Sequence, residues 1–288
     1  MIKLTQNTLP DYFTIADRYS SWYQTPVNTF NFVDRNSRTL VVTVGDSWTW
    51  GSDIAENNSN DAYRLEHLYG NIVSQEIAAD WLNLGLSAQS NLWTACMVEE
   101  LAQLIPNLDY KKIYVICPFT GVGRWFFTNY DQHIHYPIWV NENVFCARDF
   151  NKLLVNLNQG CVDRISAALQ PYSHVTLKFG TTFVDPVGFD SVPQNQVMSQ
   201  PWYRVMGLDD GITSRVCMDG VKGLLRMPET VIDTEKLSYF KEWILDIIPA
   251  SEKRNEMLKD PTAFRAYHPM AQGHRQWAEY LLTQLETQ

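Results

Sequence analysis

Apolar residues fall in two rhythms along the chain. Leu40-Val-Val-Thr-Val44 is a short, nearly unbroken aliphatic run. Runs of that kind mark strands buried on both faces, and a strand is expected over 38–44. It stops at Gly45-Asp46-Ser47, where Gly permits a sharp turn and Asp and Ser both suit a helix start. Beyond a polar loop over 52–61, Leu65, Leu68, Tyr69, Ile72, Val73 and Ile77 recur at three- and four-residue steps. That spacing predicts a helix over 62–80. A short apolar strand follows over 81–86, then an amphipathic helix over 92–104 stopped near Pro106, and a strand over 111–119. A helix over 149–169 and a strand over 174–180 repeat the alternation. Helices are expected over 233–248, ended by Pro249, and over 270–285. Strands alternating with helices imply an α/β fold whose sheet is parallel and joined by right-handed crossovers.

Three stretches escape this rhythm. Residues 1–37 are polar and aromatic with little period, and read as an N-terminal extension covering a face or edge of the sheet. Residues 120–148 form an aromatic-rich insertion holding Trp125, Phe126, Phe127, Tyr136 and Trp139. It leaves the carboxyl end of the third strand, where substrate-binding loops belong. Residues 181–229 are rich in Pro, Gly, Asp and Gln, and so long an excursion is usually functional or an oligomer contact. With no repeat or linker, 38–288 reads as one domain with insertions at about 120–148 and 181–229.

Composition narrows the classes of function. The 288 residues carry a formal net charge of −9, which argues against nucleic acid or an anionic membrane as a partner. No apolar run approaches the ~20 residues of a membrane span, and the N-terminus lacks the apolar stretch of a secretion signal. The expected location is therefore the cytoplasm, or a particle assembled there. Five widely spaced cysteines include no Cys-x-x-Cys pair, so buried reduced thiols are expected rather than zinc. His133 and His135 would make half a metal site with no third ligand in view. No metal or organic cofactor is expected.

Ser47 is the candidate nucleophile. It would sit at the carboxyl end of a central strand and at the start of a helix, where backbone N–H groups favour negative charge. A serine needs a base at neutral pH. Among six histidines, His268 stands out, in Tyr267-His-Pro-Met-Ala-Gln-Gly-His274 just before the last helix. Pro269 suits that helix's first turn. Trp48 and Trp50 flank Thr49 and fit either sugar stacking or plain packing.

Gly45-Asp46-Ser47 near the start and His268-Pro269-x-x-x-Gly273 near the end resemble the SGNH, or GDSL-type, hydrolases. Asn83-Leu-Gly-Leu-Ser-Ala-Gln-Ser90 is similar to that family's second block, and Pro118-Phe-Thr-Gly121 stands where its third belongs. The resemblance covers about 39–120 and 260–285. It implies a three-layer α/β/α sandwich with a flavodoxin-like, mostly parallel sheet carrying long loop insertions. It also implies a serine esterase acting on short acyl esters, often acetyl groups on carbohydrate. By position, Ala88 replaces the glycine whose N–H enters the oxyanion hole. Thr120 replaces an Asn donor, with Arg124 four residues on as an alternative source of charge. Arg265 stands where the family has the Asp that orients the base, and Asp260 is the nearest substitute. Arg124, Trp48 and Trp125 are the candidate substrate contacts. The rival expectation is a binding or structural module on the same scaffold, catalytically degraded and carried on a particle. The insertions would then serve protein contacts.

Overall fold

The computed structural model describes residues 2, 4–13, 30–52, 54, 61–87, 89–121, 124–129, 134–139, 147–182, 188–206, 264–265, 268–269 and 271–286. At 10, 61, 124–129, 134–139, 147–154, 264–265, 268 and 286 it describes the backbone. The elements begin with α1 (Leu9–Tyr12), β1 (Asn31–Val33), β2 (Thr39–Thr43), α2 (Ser47–Trp50), α3 (Asp61–His67) and α4 (Tyr69–Glu76). Next come β3 (Asp80–Asn83), α5 (Asn91–Leu104), β4 (Lys112–Phe119), β5 (Arg124–Asn129) and β6 (Ile134–Trp139). The chain continues through α6 (Ala147–Leu169), β7 (Val175–Thr181), α7 (Trp202–Val205), β8 (Phe264–Arg265), β9 (His268–Pro269) and α8 (Ala271–Glu286). It divides into two compact units. One is Met1–Trp50, Ser74–Thr182 and Pro186–Ser199; the other is Gly51–Val73, Phe183–Asp185 and Gln200–Gln288.

The first unit is built on a five-stranded sheet in the order β1-β3-β2-β4-β7. The pairs β2–β3, β2–β4 and β4–β7 are parallel, and β1 joins β3 antiparallel. The chain therefore leaves central β2 for β3, then returns across β2 to β4 and β7. This is the flavodoxin-type doubly wound order, whose switch point lies between β2 and β4. The connections from β3 to β4 and from β4 to β7 run the same way across the sheet, so right-handed crossovers place α5 and α6 on one face, as an α/β sandwich requires.

Alternation along the strands separates the two faces. Leu40, Val42 and Val44 of the β2 run, with Ile113, Val115 and Cys117 of β4, join the core cluster that includes Val98 and Leu101 of α5. Helices α5 and α6 pack on each other. The intervening positions, Val41 and Thr43 on β2 and Trp81 and Asn83 on β3, are also buried. Burial on both faces is why β2 reads as a nearly continuous apolar run.

Several expectations shift. The helix expected over 62–80 is two helices, broken at Leu68 and ended at Glu76. Its end is a left-handed cap at Ala78 (φ 51°), closed by Ala79 N–H to Ser74 O at 2.8 Å. Asp80 then opens β3. Its buried carboxylate accepts from Arg35 N (2.7 Å), Ser37 N (3.1 Å) and the Tyr110 hydroxyl (2.8 Å), which fixes it in the strand. The strand expected over 81–86 stops at Asn83, although Leu84 N–H still bonds Thr43 O and Leu86 N–H still bonds Gly45 O.

The N-terminal extension supplies β1, an edge strand held by Gln6, which bonds Phe30 O (2.6 Å) and Phe32 N (2.7 Å). The insertion over 120–148 contains the β5–β6 hairpin. Within 181–229, a bridge from Phe179 to Val197 runs beside β7. The helix expected over 233–248 lies outside the described residues.

In the second unit, the Trp202 ring stacks on Trp277 at 5.3 Å and meets Tyr69 and His274 edge-on at 5.0 and 4.9 Å. Trp202 Nε1 donates to Gly273 O (3.1 Å), and His274 Nδ1 accepts from Tyr69 N–H (3.3 Å). His268 and Pro269 form β9, paired with β8 so that Arg265 stands across from His268. Pro269 therefore lies in a strand rather than in the first turn of the last helix, which begins at Ala271. No described helix is long and apolar enough to cross a membrane.

Candidate active site

The site is built at the carboxyl edge of β2. After Thr43 the chain is still tethered, since Val44 N–H bonds Ile116 O at 3.0 Å and Gly45 O accepts from Leu86 N–H at 3.0 Å. Asp46 then caps α2. Its carboxylate Oδ1 accepts from Trp48 N–H (3.0 Å), and its carbonyl accepts from Trp50 N–H (2.9 Å). Ser47 is thereby fixed as the first residue of the helix and is 3% exposed.

Two glycines let this turn sit so close to its neighbours. A Cβ on Gly45 would meet the Thr49 hydroxyl, and would lie 3.1 Å from Pro118 O at the end of β4. A Cβ on Gly85 would lie 2.8 Å from Trp50 N and 2.9 Å from Thr49 C, both backbone atoms of α2. Asn83 ties the same corner together. Its Oδ1 accepts from Gly85 N–H (3.0 Å) and from the Thr43 hydroxyl (3.2 Å), while Nδ2 donates to Thr49 O (3.3 Å). Trp81 Nε1 donates to the Thr43 hydroxyl at 3.1 Å. The corner is thus held by two side chains of β3.

Across the switch point, Thr120 follows the end of β4. Its N–H donates to Asn91 Oδ1 (2.8 Å) and its carbonyl accepts from Asn91 Nδ2 (3.0 Å). Asn91 Nδ2 also donates to Asn158 Oδ1 (2.7 Å). The Thr120 hydroxyl is buried and has no hydrogen-bond partner among the described residues. Cys117, nearby on β4, is no rival nucleophile, because burial pushes its thiol well above the usual range.

Ser47 and Thr120 thus flank the switch point within the first unit. His268 belongs to the second unit, and its backbone is described. Arg124 and Trp125 lie on β5, described as backbone. Ala88 and Asp260 lie outside the described residues. Trp48 is 1% exposed, which favours packing over sugar stacking. Reading the sequence missed Asn91 and Asn158. The available signal was Asn158 itself, a polar residue in the stripe that Val162, Ile165 and Leu169 continue along α6.

A Gly-Asp-Ser turn at the tip of the central strand of a doubly wound, mostly parallel sheet is the arrangement by which the chain resembles the SGNH, or GDSL-type, hydrolases. Among solved structures it is similar to a protein assigned to the lipolytic G-D-S-L family from Desulfitobacterium hafniense DCB-2. The identity is 12% and the TM-score 0.38, over 85% of this chain and 98% of the other. No protein-family model matches the chain, and no curated protein does.

Proposed function

We propose that the protein is a serine esterase acting on short acyl esters, acetyl esters of carbohydrate among the candidate substrates. The observation that carries this reading is Ser47, held at a capped helix start beside the switch point of the sheet. Ser47 Oγ attacks the ester carbonyl while His268 takes its proton. The negative charge gathers on the former carbonyl oxygen, held by the N–H groups of Ser47 and Ala88 and by the Thr120 hydroxyl. His268 returns the proton to the leaving alcohol, and an acyl-enzyme remains. Water then attacks the acyl carbon, giving its proton to His268, and Ser47 departs re-protonated as the acid is released. Asp260 or a backbone carbonyl orients the imidazole. Arg124 and Trp125, on the hairpin that follows β4, contact the substrate.

A second reading is a binding or structural module on the same scaffold, catalytically degraded and particle-associated. The feature favouring it is Arg265 at the position where the resembled family has its Asp. An arginine has no acceptor to offer an imidazole N–H.

Turnover of p-nitrophenyl acetate and labelling by a fluorophosphonate probe separate the two. The esterase reading expects wild type to be labelled at Ser47, and kcat to fall by roughly 10⁴-fold or more in Ser47→Ala and His268→Ala. A wild-type protein that is neither labelled nor active overturns the esterase reading and favours the binding module.

A further inference from the structure

We infer that Asn91 is a positioning residue, gripping the backbone of Thr120 so that its hydroxyl is aimed as an oxyanion donor at the strand edge carrying Ser47. The inference rests on the esterase reading. Thr120 lies one residue beyond β4, where the neighbouring β2 chain has already turned into α2, so its backbone groups need other partners. The Asn91 carboxamide supplies both, its oxygen facing Thr120 N–H and its nitrogen facing Thr120 O. The second amide proton goes to Asn158, so the amide has one orientation that satisfies every bond. Asn91 and Asn158 are each 4% exposed, and Thr120 is 2% exposed.

The clamp stands on rigid elements. Asn91 opens α5 behind the Ser90 cap, which accepts from Trp93 N–H at 3.4 Å, and Asn158 lies on α6, packed against α5. One group in this network is left over. A buried hydroxyl without a partner costs on the order of 1–3 kcal/mol, which a hydrogen bond to a bound oxygen would recover. A rigid scaffold ending in a buried donor without a partner among the described residues matches what a preorganised oxyanion contact requires. The hydroxyl donates a hydrogen bond as charge develops on the carbonyl oxygen, and no proton is transferred.

The experiment is steady-state hydrolysis of p-nitrophenyl acetate by the full chain, with Ser47→Ala as the blank. Thr120→Val is expected to lower kcat about 10²-fold with KM within about two-fold, and Thr120→Ser to recover most of it. Asn91→Asp keeps the acceptor for Thr120 N–H and loses both donor bonds. It should lower kcat by about ten-fold or more alone, yet by less than about two-fold when Thr120 is already Val, because the two act as one unit. Asn158→Ala loosens the same clamp from its far side and replaces Asn91→Asp if that variant does not fold. Wild-type kcat in Thr120→Val, or additive losses in the double variant, overturns the inference while leaving the esterase standing. Wild-type turnover equal to the Ser47→Ala blank overturns the esterase reading and the clamp with it.

Discussion

At the scale of single residues, the placement of Ser47 depends on what its neighbours lack. Gly85 has no side chain because α2's own backbone occupies that space. Backbone atoms cannot swing aside as a side-chain tip can, so a methyl there must push the loop or the helix. Gly85→Ala should therefore lower stability by about 1–3 kcal/mol and also slow fluorophosphonate labelling of Ser47. Gly160, inside α6, has nothing within 4 Å of where its Cβ would stand. Gly160→Ala should raise stability by about 0.5–1 kcal/mol through helix propensity, with labelling unchanged. Urea midpoints of the two variants check the pair. If Gly85→Ala leaves both stability and labelling unchanged, the close approach at Gly85 is not what shapes the turn.

At the scale of elements, the α5–α6 contact tests which kind of interaction holds a layer together. Arg164 grips Glu99 through Nε (2.8 Å) and Nη2 (2.6 Å), with Cys96 Sγ 3.5 Å from Nη2. The side chains are 40% and 36% exposed, so solvent screens the pair despite its bidentate geometry. Glu99→Gln should change stability by less than about 1 kcal/mol. Leu101→Ala, two residues on but fully buried, should cost about 2–5 kcal/mol. Chemical denaturation of both variants decides, and the reverse ranking would mean that the ion pair organises this layer. The same elements explain what could be read from the chain. Strands β2, β4 and β7 and helices α5, α6 and α8 were legible because two-sided or one-sided burial imprints a period. The end of α4 was not, because the left-handed cap falls on Ala78 where a glycine would have announced it. Strand β1 was not, because three residues paired at a sheet edge carry no period. In the site, Ser47 was legible from a local turn motif, whereas the Asn91–Asn158 clamp joins residues 67 apart and leaves no spacing to detect.

At the scale of the whole molecule, buried acids that stay protonated make folding sensitive to alkali. Burial holds the Cys117 thiol far above its ordinary range and pushes Cys161 up to about 12. Burial, and then the hydrogen bond to Asp80, also raises Tyr110. An unfolded chain releases its thiol protons from about pH 9, while the folded chain retains them. Between those limits the folded state binds more protons, so stability falls as pH rises. Below pH 9 these groups bind equally in both states and add no slope. Melting temperature should therefore be nearly level from pH 8 to 9 and decline steadily toward pH 10.5. The growing negative charge of the chain would produce a decline too, but one that is indifferent to two buried thiols. Cys117→Ala with Cys161→Ala distinguishes the causes. The doubly substituted chain should start from a lower melting temperature and lose it less steeply above pH 9. An unchanged slope would assign the alkaline loss to groups other than these two thiols, surface charge and Tyr110 among them.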